Sequence, residues 1–255
     1  MPRTYRIGQI VPSSNTTMET ELPQIFRARE ASQLERFSFH SSRMRMRHVT
    51  KEELAKMDSE SLRCGAELAD ARVDVVGYAC LVAIMAMGDG YHRASETRLT
   101  AAVREAGCDA GVVTSAGALI DGLAALGAKR ISILTPYMPP LTSLVVGYLN
   151  AEGIEVVDFK AFGIADNLEV GRRNPETLLE DLEELDTTGV DAVVLSACVQ
   201  MPSLSALSRA EDRLGLPVVS AASCTARSLL LKLGLAPVVP GFGAALSEKF
   251  VRQAA

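Results

Sequence analysis

Short apolar runs alternate with longer segments of helical periodicity along the whole chain. Runs rich in β-branched residues, bounded by turn-forming residues, predict strands. Eight strands are expected, at residues 6–11, 37–40, 73–79, 111–114, 129–135, 155–159, 190–196 and 216–220. Because strands alternate with helices, the pattern predicts an α/β protein with parallel sheets and right-handed crossovers.

Capping and stop signals locate several of the intervening segments. Thr50 and Glu53 form the T-x-x-E signature of a helix start, and an amphipathic segment follows them. An acidic helix is expected at residues 174–186, where Pro175 suits the first helical position. Residues 12–23 are rich in groups that bond to their own backbone, which predicts a polar loop. Glycines typical of helix C-terminal ends are Gly107, Gly127 and Gly234.

The second half of the chain repeats the plan of the first half. VDVVGYAC, which ends at Cys80, recurs as VDAVVLSAC, which ends at Cys198. The repeat predicts two lobes related by a pseudo-twofold axis, each a four-stranded parallel sheet flanked by helices. Residues 1–115 would form the first lobe, completed by residues 226–255, and residues 116–225 the second. Ligands bind at the carboxyl ends of such strands, so we expect the active site in the cleft between the lobes.

Composition excludes several classes of function. The net charge is −5, and residues 41–48 (SSRMRMRH) form the main basic cluster, so nucleic acid is not expected as a partner. That cluster alternates arginine with methionine, which is typical of a strand edge or loop. No apolar run is long enough to span a membrane, and the N-terminus lacks a secretory signal, so we expect a cytoplasmic protein and no membrane partner. Five cysteines without a CxxC pair indicate neither a disulfide framework nor a metal site.

Cys80 and Cys198 are the candidate reactive groups, because they follow equivalent strands. A thiol at the junction of a strand and a helix start would be favoured as the thiolate. Two such thiols could attack a substrate covalently, exchange protons on opposite faces, or protonate a carbanion. The alternative is that both cysteines only pack in the core. The sequence has three other cysteines. Cys64 and Cys108 are interpreted as packing residues, and a role for Cys224 stays open.

Several polar residues near predicted strand ends also allow two interpretations. Asn15 could cap the following helix, Tyr137 could be a packed loop aromatic, and Asn167 could be a turn residue. The histidines form no triad-like pattern and are assigned no catalysis; they are His40, His48 and His92.

Five motifs together carry a family resemblance. They are VPSSNTTMETELP from residue 11, YACLVAIMAMGDGYHR from residue 78, TPYMPP from residue 135, ADN at residues 165–167 and LSACVQMPS from residue 195. The set resembles the maleate cis-trans isomerases, which belong to the aspartate/glutamate racemase superfamily together with arylmalonate decarboxylase. The resemblance covers nearly the full length of the chain.

The resemblance implies cofactor-independent isomerisation of maleate to fumarate through a succinyl-cysteine. Cys80 would be the nucleophile and Cys198 the general acid and base. Residues implied in substrate binding are Asn15, Leu81, Val82, Tyr137, Asn167 and Val199. No metal or cofactor is implied, the partner is a small dicarboxylate substrate, and a homodimer or higher homo-oligomer is expected.

Two other functions stay open at this point. One is a racemase of aspartate, glutamate or a hydantoin-type compound, in which the two cysteines only exchange protons. The other is a two-lobed protein that binds a dicarboxylate without catalysis. Arylmalonate decarboxylases lack the first cysteine of the pair, so Cys80 argues against that activity.

Overall fold

Two separate four-stranded sheets form the centre of the protein. The computed structural model describes residues 3–46 and 50–248. The first sheet has the order β2-β1-β3-β4 and the second the order β6-β5-β7-β8, with every pair parallel. The predicted fold is therefore confirmed. The strands are β1 (Thr4–Pro12), β2 (Arg36–Met44), β3 (Val75–Tyr78), β4 (Gly111–Thr114), β5 (Arg130–Thr135), β6 (Glu155–Ala161), β7 (Ala192–Ser196) and β8 (Val218–Ser220).

Ten α-helices connect and cover these strands. They are α1 (Met18–Glu30), α2 (Lys51–Asp70), α3 (Leu81–Met85), α4 (Tyr91–Glu105), α5 (Ser115–Ala125), α6 (Pro139–Ala151), α7 (Asn167–Gly171), α8 (Leu178–Asp181), α9 (Leu204–Leu214) and α10 (Ala221–Lys232), counted over the described residues. Every residue of β3 and β7 is buried, as expected for middle strands covered on both faces. Thr50 caps α2 by accepting a hydrogen bond from the Glu53 N–H. None of the helices in these two described ranges is long and apolar enough to cross a membrane.

Two predicted segments differ in the structure. Helix α1 starts at Met18, inside the region expected to be a loop. The acidic segment at residues 174–186 is not one helix, because α8 covers only four residues between the 3-10 turns Pro175–Thr177 and Leu182–Glu184. Glutamates at positions 176, 180 and 184 follow one another at four-residue intervals, and like charges at that spacing destabilise a regular helix.

Helix α10 connects the two halves. It follows β8 of the second sheet, but it packs against β3 and β4 of the first sheet and against α1 and α5. A second connection lies between α4 and α6, where the Tyr148 hydroxyl accepts a hydrogen bond from the backbone N–H of His92 and lies 2.6 Å from its Nδ1. The residue boundaries of the two lobes stay a prediction.

Glu21 forms a buried link between α1 and α9. Its Oε1 accepts hydrogen bonds from the N–H groups of Ser203 (2.6 Å) and Leu204 (3.0 Å), at the start of α9. Its Oε2 has no hydrogen-bond partner within the described part of the chain. Burial raises the pKa of Glu21 from 4.5 to about 7, although the two N–H groups act in the opposite direction. The ionised form of Glu21 is therefore disfavoured at this position relative to the neutral carboxylic acid.

Replacing Glu21 with glutamine tests this interpretation. Because the pKa is raised in the folded state, the native protein holds this proton more tightly, and the wild type loses stability as pH rises from 4.5 through about 7. A pKa shift of this size lowers the free energy of unfolding by about 3 kcal/mol between the low-pH and high-pH limits. Urea unfolding from about pH 5 to pH 8 should show Glu21→Gln gaining stability relative to the wild type by that order. A stability difference that does not change with pH would contradict the assignment.

Candidate active site

The candidate site lies where the middle strands of both sheets end. In each sheet the two middle strands run to neighbours on opposite sides, and such a switch point leaves a crevice at the carboxyl ends. Asn15 follows β1 and Cys80 follows β3 in the first sheet. Tyr137 follows β5 and Cys198 follows β7 in the second sheet. The topology alone therefore brings four polar side chains to two adjacent crevices.

The two cysteines are held by equivalent backbone contacts. The N–H of Ala79 donates to the carbonyl of Ile10 (2.8 Å), and the N–H of Ala197 donates to the carbonyl of Leu134 (3.0 Å). Each of these hydrogen bonds comes from the first residue after the strand, so the backbone contact between the middle strands continues past the end of β3 and of β7. The residue that follows each alanine is a cysteine, so both thiols start from a fixed backbone position.

Both thiols line a single small cavity. All eight residues predicted for the site surround it, together with four that the sequence did not single out. The predicted ones are Asn15, Cys80, Leu81, Val82, Tyr137, Asn167, Cys198 and Val199; the others are Pro12, Met46, Ala79 and Gln200. Its volume is about 20 Å³, room for about one water molecule. A dicarboxylate therefore requires the surrounding segments to move apart before it can enter.

Cys80 is the N-cap residue of α3 and lies between strand and helix, as expected. The predicted preference for the thiolate is wrong for this closed cavity. The pKa of Cys80 is raised to about 12, mainly by burial; the N–H of Ala83 acts in the opposite direction, and the nearby Cys198 contributes a smaller increase. Desolvation dominates because α3 has only five residues, so its N-terminus offers little compensation.

Cys198 does not lie at a helix start, contrary to the prediction. Helix α9 begins six residues later, at Leu204. Pro202 disfavours the helical conformation for the residue before it, so the chain makes a turn first. The turn places the backbone N–H of Gln200 3.3 Å from the sulfur of Cys198. Burial raises the pKa of Cys198, although hydrogen bonds from Tyr137 and from the turn lower it in part.

The polar residues around the thiols are fixed by hydrogen bonds of their own. Asn15 uses its Oδ1 to cap α1 through the N–H groups of Thr17 (3.0 Å) and Met18 (2.9 Å). Its Nδ2 lies 3.5 Å from the carbonyl of Val199. The capping role and a place in the cavity therefore occur together, and the cap orients the amide nitrogen across the cleft.

Asn167 connects the two lobes, and Tyr137 supports the turn that follows β7. Asn167 is the first residue of α7, and its Nδ2 donates to the hydroxyl of Ser14 (2.9 Å). Tyr137 is buried, and its hydroxyl donates to the carbonyl of Ala197 (3.2 Å), next to Cys198. Burial raises the pKa of Tyr137 well above its ordinary value, so the hydroxyl stays a neutral donor.

Among the described residues that line the cavity, none carries a formal charge. The available donors are amides, a phenol, thiols and backbone N–H groups. Neutral donors in a water-poor site stabilise developing negative charge strongly, because no solvent competes with them. The arrangement suits a substrate whose charge spreads onto oxygen during the reaction.

Met46 and Gln200 were missed by sequence reasoning for different reasons. Alternation in residues 41–46 buries Met44 and Met46 and exposes the arginines between them, so this signal was present in the sequence. Met46 is fixed by a backbone hydrogen bond from its N–H to the Ser13 hydroxyl (3.0 Å). Gln200 is identified only by contacts with residues more than 30 positions away, which no local pattern shows.

The remaining cysteines and the two described histidines, His40 and His92, are not among the residues that line the cavity. Cys64, Cys108 and Cys224 are buried elsewhere. Cys224 packs against α5 so closely that a Cβ at Gly122 would lie 2.6 Å from its sulfur, which explains this thiol as a packing residue. His40 contacts Ser38, and His48 lies outside the described residues.

Comparison with known proteins places this geometry in a family. The family model described as arylmalonate decarboxylase matches residues 7–246. The chain is 59% identical to the maleate isomerase of Alcaligenes faecalis, over 96% of this chain and 97% of that protein. It is 46% identical to the maleate isomerase of Nocardia farcinica, over 95% and 96% of the two chains.

Solved structures agree with the sequence comparison. A cysteine-to-alanine variant of a Pseudomonas putida maleate isomerase with maleate superposes with a TM-score of 0.95 at 56% identity, over 96% of this chain and 98% of that one. A cysteine-to-serine mutant of the Nocardia farcinica enzyme, with a covalently bound succinylcysteine intermediate, gives a TM-score of 0.92 at 45% identity, over 99% and 100%. The resemblance predicted from the motifs is thereby confirmed, and the chain belongs to the maleate isomerases within the arylmalonate decarboxylase family.

Proposed function

We propose that this protein converts maleate to fumarate without a cofactor, through a succinyl-cysteine formed on Cys80. The observation that carries the proposal is the single uncharged cavity to which each lobe contributes one thiol. A family member has been captured with a covalently bound succinylcysteine, which supports the same chemistry here.

The barrier to isomerisation is the carbon-carbon double bond, which does not rotate. Addition of the Cys80 thiolate to one alkene carbon forms a carbon-sulfur bond and moves the π electron pair towards the carboxylate across the bond. The product is an enediolate, whose extra charge falls on oxygen. Asn15, Asn167 and the Tyr137 hydroxyl, with backbone N–H groups at Val82 and Val199, would hold the two carboxylates.

Cys198 completes the reaction by moving one proton. Its thiol protonates the carbon next to the new carbon-sulfur bond, which leaves a succinyl group on Cys80 with a single central bond. Rotation about that bond brings the carboxylates to opposite sides. The Cys198 thiolate then removes the proton, the carbon-sulfur bond breaks, and fumarate and the Cys80 thiolate are released.

Burial and ionisation require an order of events. In the closed cavity burial raises the pKa of Cys80 to about 12, so the closed free enzyme holds the neutral thiol. Substrate entry needs the cavity to open, and water that enters with it lowers the desolvation penalty of the thiolate. The nucleophile therefore ionises in the open form, and closure around the substrate then removes water from the reaction.

The lining residues disfavour an amino-acid racemase. An aspartate or glutamate substrate carries an ammonium group, which needs a carboxylate or several carbonyl partners. Within the described lining no aspartate or glutamate is present. An uncharged set of donors matches a substrate that has two carboxylates and no amine.

Two further expectations stay predictions. Association into a homodimer or higher oligomer is expected from the family resemblance, and a cytoplasmic location is expected as well. Neither is needed for the chemistry, because the residues proposed for it all come from one chain.

The reaction is tested by proton NMR of maleate incubated with the purified protein and no added cofactor. Fumarate should accumulate with the wild type. The rate of fumarate formation should fall on the order of 10²-fold or more in Cys80→Ser, because a hydroxyl is a much weaker nucleophile than a thiolate. With Cys198→Ala, protein mass spectrometry should detect the mass of one maleate added to Cys80.

Cys108→Ser is the matched control for these variants. Cys108 is also a buried thiol, outside the cavity, and it donates a hydrogen bond to the Val73 carbonyl (3.3 Å) that serine can retain. This variant should keep wild-type activity. An adduct on Cys64 or Cys108 rather than Cys80 would refute the proposed nucleophile.

The ionisation of Cys80 in the closed free enzyme is tested by the ultraviolet absorbance of its thiolate at increasing pH, taken as the difference between the wild type and Cys80→Ser. Because burial raises its pKa from 9.0 to about 12, the absorbance should still rise above the pH at which a free thiol reaches its plateau. N-acetylcysteine in the same buffers serves as that reference. A plateau below neutral pH would show a stabilised thiolate and contradict the expected direction.

A further inference from the structure

Gln200 lies where three segments around the cavity meet. Its side-chain Oε1 accepts a hydrogen bond from the N–H of Thr16 (2.8 Å). Its Nε2 donates to the carbonyl of Asn167 (2.7 Å) and lies within hydrogen-bond distance of the Ser14 carbonyl (3.2 Å) and the Thr16 hydroxyl (3.3 Å). One buried amide therefore joins the segment after β1 and the first residue of α7 to the turn after β7.

The backbone of Gln200 makes two further contacts. Its N–H lies 3.3 Å from the sulfur of Cys198, and its carbonyl accepts a hydrogen bond from the Thr17 hydroxyl (2.7 Å). Thr17 and Met18 hold the side chain of Asn15 through their N–H groups. The same residue thus contacts the turn of one thiol and the segments of both asparagines.

The pattern of partners requires an amide. The N–H of Thr16 needs an acceptor, while the carbonyls of Ser14 and Asn167 need a donor. Glutamate would place negative charge against two carbonyls and beside the substrate carboxylates, and methionine of similar length would make none of these hydrogen bonds. Loss of the bond to Asn167 removes a partner from a buried carbonyl, and the bonds to Ser14 and Thr16 are partly buried.

Gly171, at the end of α7, packs directly on this amide. A Cβ at Gly171 would lie 2.5 Å from the Nε2 of Gln200 and 2.6 Å from the Thr16 hydroxyl. Its backbone is not among those with positive φ, so alanine is compatible with the conformation. The glycine is required here by the close approach alone. By contrast, a Cβ at Gly147 in α6 would meet nothing within 4 Å.

We infer that Gln200 is a positioning residue that sets the spacing of Asn15 and Asn167 relative to the Cys198 turn. The inference rests on the proposed function and extends it, because it names what holds the substrate-binding residues of the two lobes together. Gln200 acts through these residues and does not take part in bond making. Loss of its side chain should displace both carboxylate-binding amides at once, while Cys80 keeps its own support from Ala79 and Ile10.

Two variants attack the same contact from opposite sides. Gln200→Met removes the hydrogen bonds of the amide at similar side-chain length, and Gly171→Ala crowds the amide without removing it. We expect each to raise the KM for maleate by about 10-fold or more, from the loss of two or more hydrogen bonds, with a smaller decrease of kcat. In the Asn15→Ala background Gln200→Met should add much less than its separate effect, because both act on one binding residue.

Matched controls separate positioning from stability. Gln9→Met replaces an equally buried glutamine whose amide has no hydrogen-bond partner within the described residues, and Gly147→Ala adds a Cβ in open space. Both should keep the wild-type KM, and neither should lower the melting temperature, because Gln9→Met removes an unpaired buried amide and Gly147→Ala introduces a better helix former. Thermal unfolding of the two test variants and the two controls shows whether a variant with a changed KM is still folded. If Gln200→Met does not fold, Gly171→Ala still tests the inference.

The outcomes distinguish the inference from the proposed function. An active wild type whose Gln200→Met and Gly171→Ala variants match the controls in KM overturns the inference alone. If Gln200→Met and Gly171→Ala lower kcat and leave KM unchanged, the inference is also overturned, because this result would indicate a role in the chemical step. A wild type that leaves maleate unchanged overturns the proposed function and the inference together.

Discussion

Two thiols can act on one small molecule only if two separate sheets hold their strand ends at a constant separation. Among the described residues no strand pairing crosses between the sheets, so side-chain and loop contacts must fix that separation. One group of contacts lies where the segment after β1 meets the turn after β7, with Thr16, Thr17 and Glu21 on one side and residues 200–204 on the other. Three of these four hydrogen bonds are buried, and buried hydrogen bonds are costly to leave unmade. The geometry of the site depends on them more than on either sheet alone.

Desolvation is the second property that shapes the site. It raises the pKa of both thiols and of Tyr137, so the closed cavity holds neutral donors. The same exclusion of water strengthens the interaction of those donors with charge that develops on a substrate oxygen. A low dielectric that disfavours the resting thiolate therefore favours the charged intermediate, provided that ionisation comes before closure. In the proposed mechanism Cys80 therefore ionises before closure and does not rest as a permanently activated thiol.

Much of the fold could be predicted from the sequence because its signals are local. Seven of the eight strands lie in runs that contain β-branched residues, β2 contains phenylalanines instead, and Gly107 and Gly127 adopt positive φ at the ends of α4 and α5. The repeat of a valine-aspartate start and an alanine-cysteine end identified the two middle strands, and so the edge at which the cavity lies. Local signals failed for α1, where a polar segment contains a helix whose apolar face is buried, and for the acidic segment around α8. They also failed for Gln200 and Glu21, whose partners are more than 30 and more than 180 residues away, respectively.

The path of α10 makes the protein less divisible than its repeat suggests. Helix α10 leaves the second sheet, crosses to the first and covers β3 and β4 there. A fragment that ended after the first four strands would expose the apolar face on which α10 packs, and the complementary fragment would carry a helix without its binding surface. Although the architecture is duplicated, neither repeat is an autonomous unit, so fission of the gene at the midpoint would demand reassembly of the two fragments before either could fold completely.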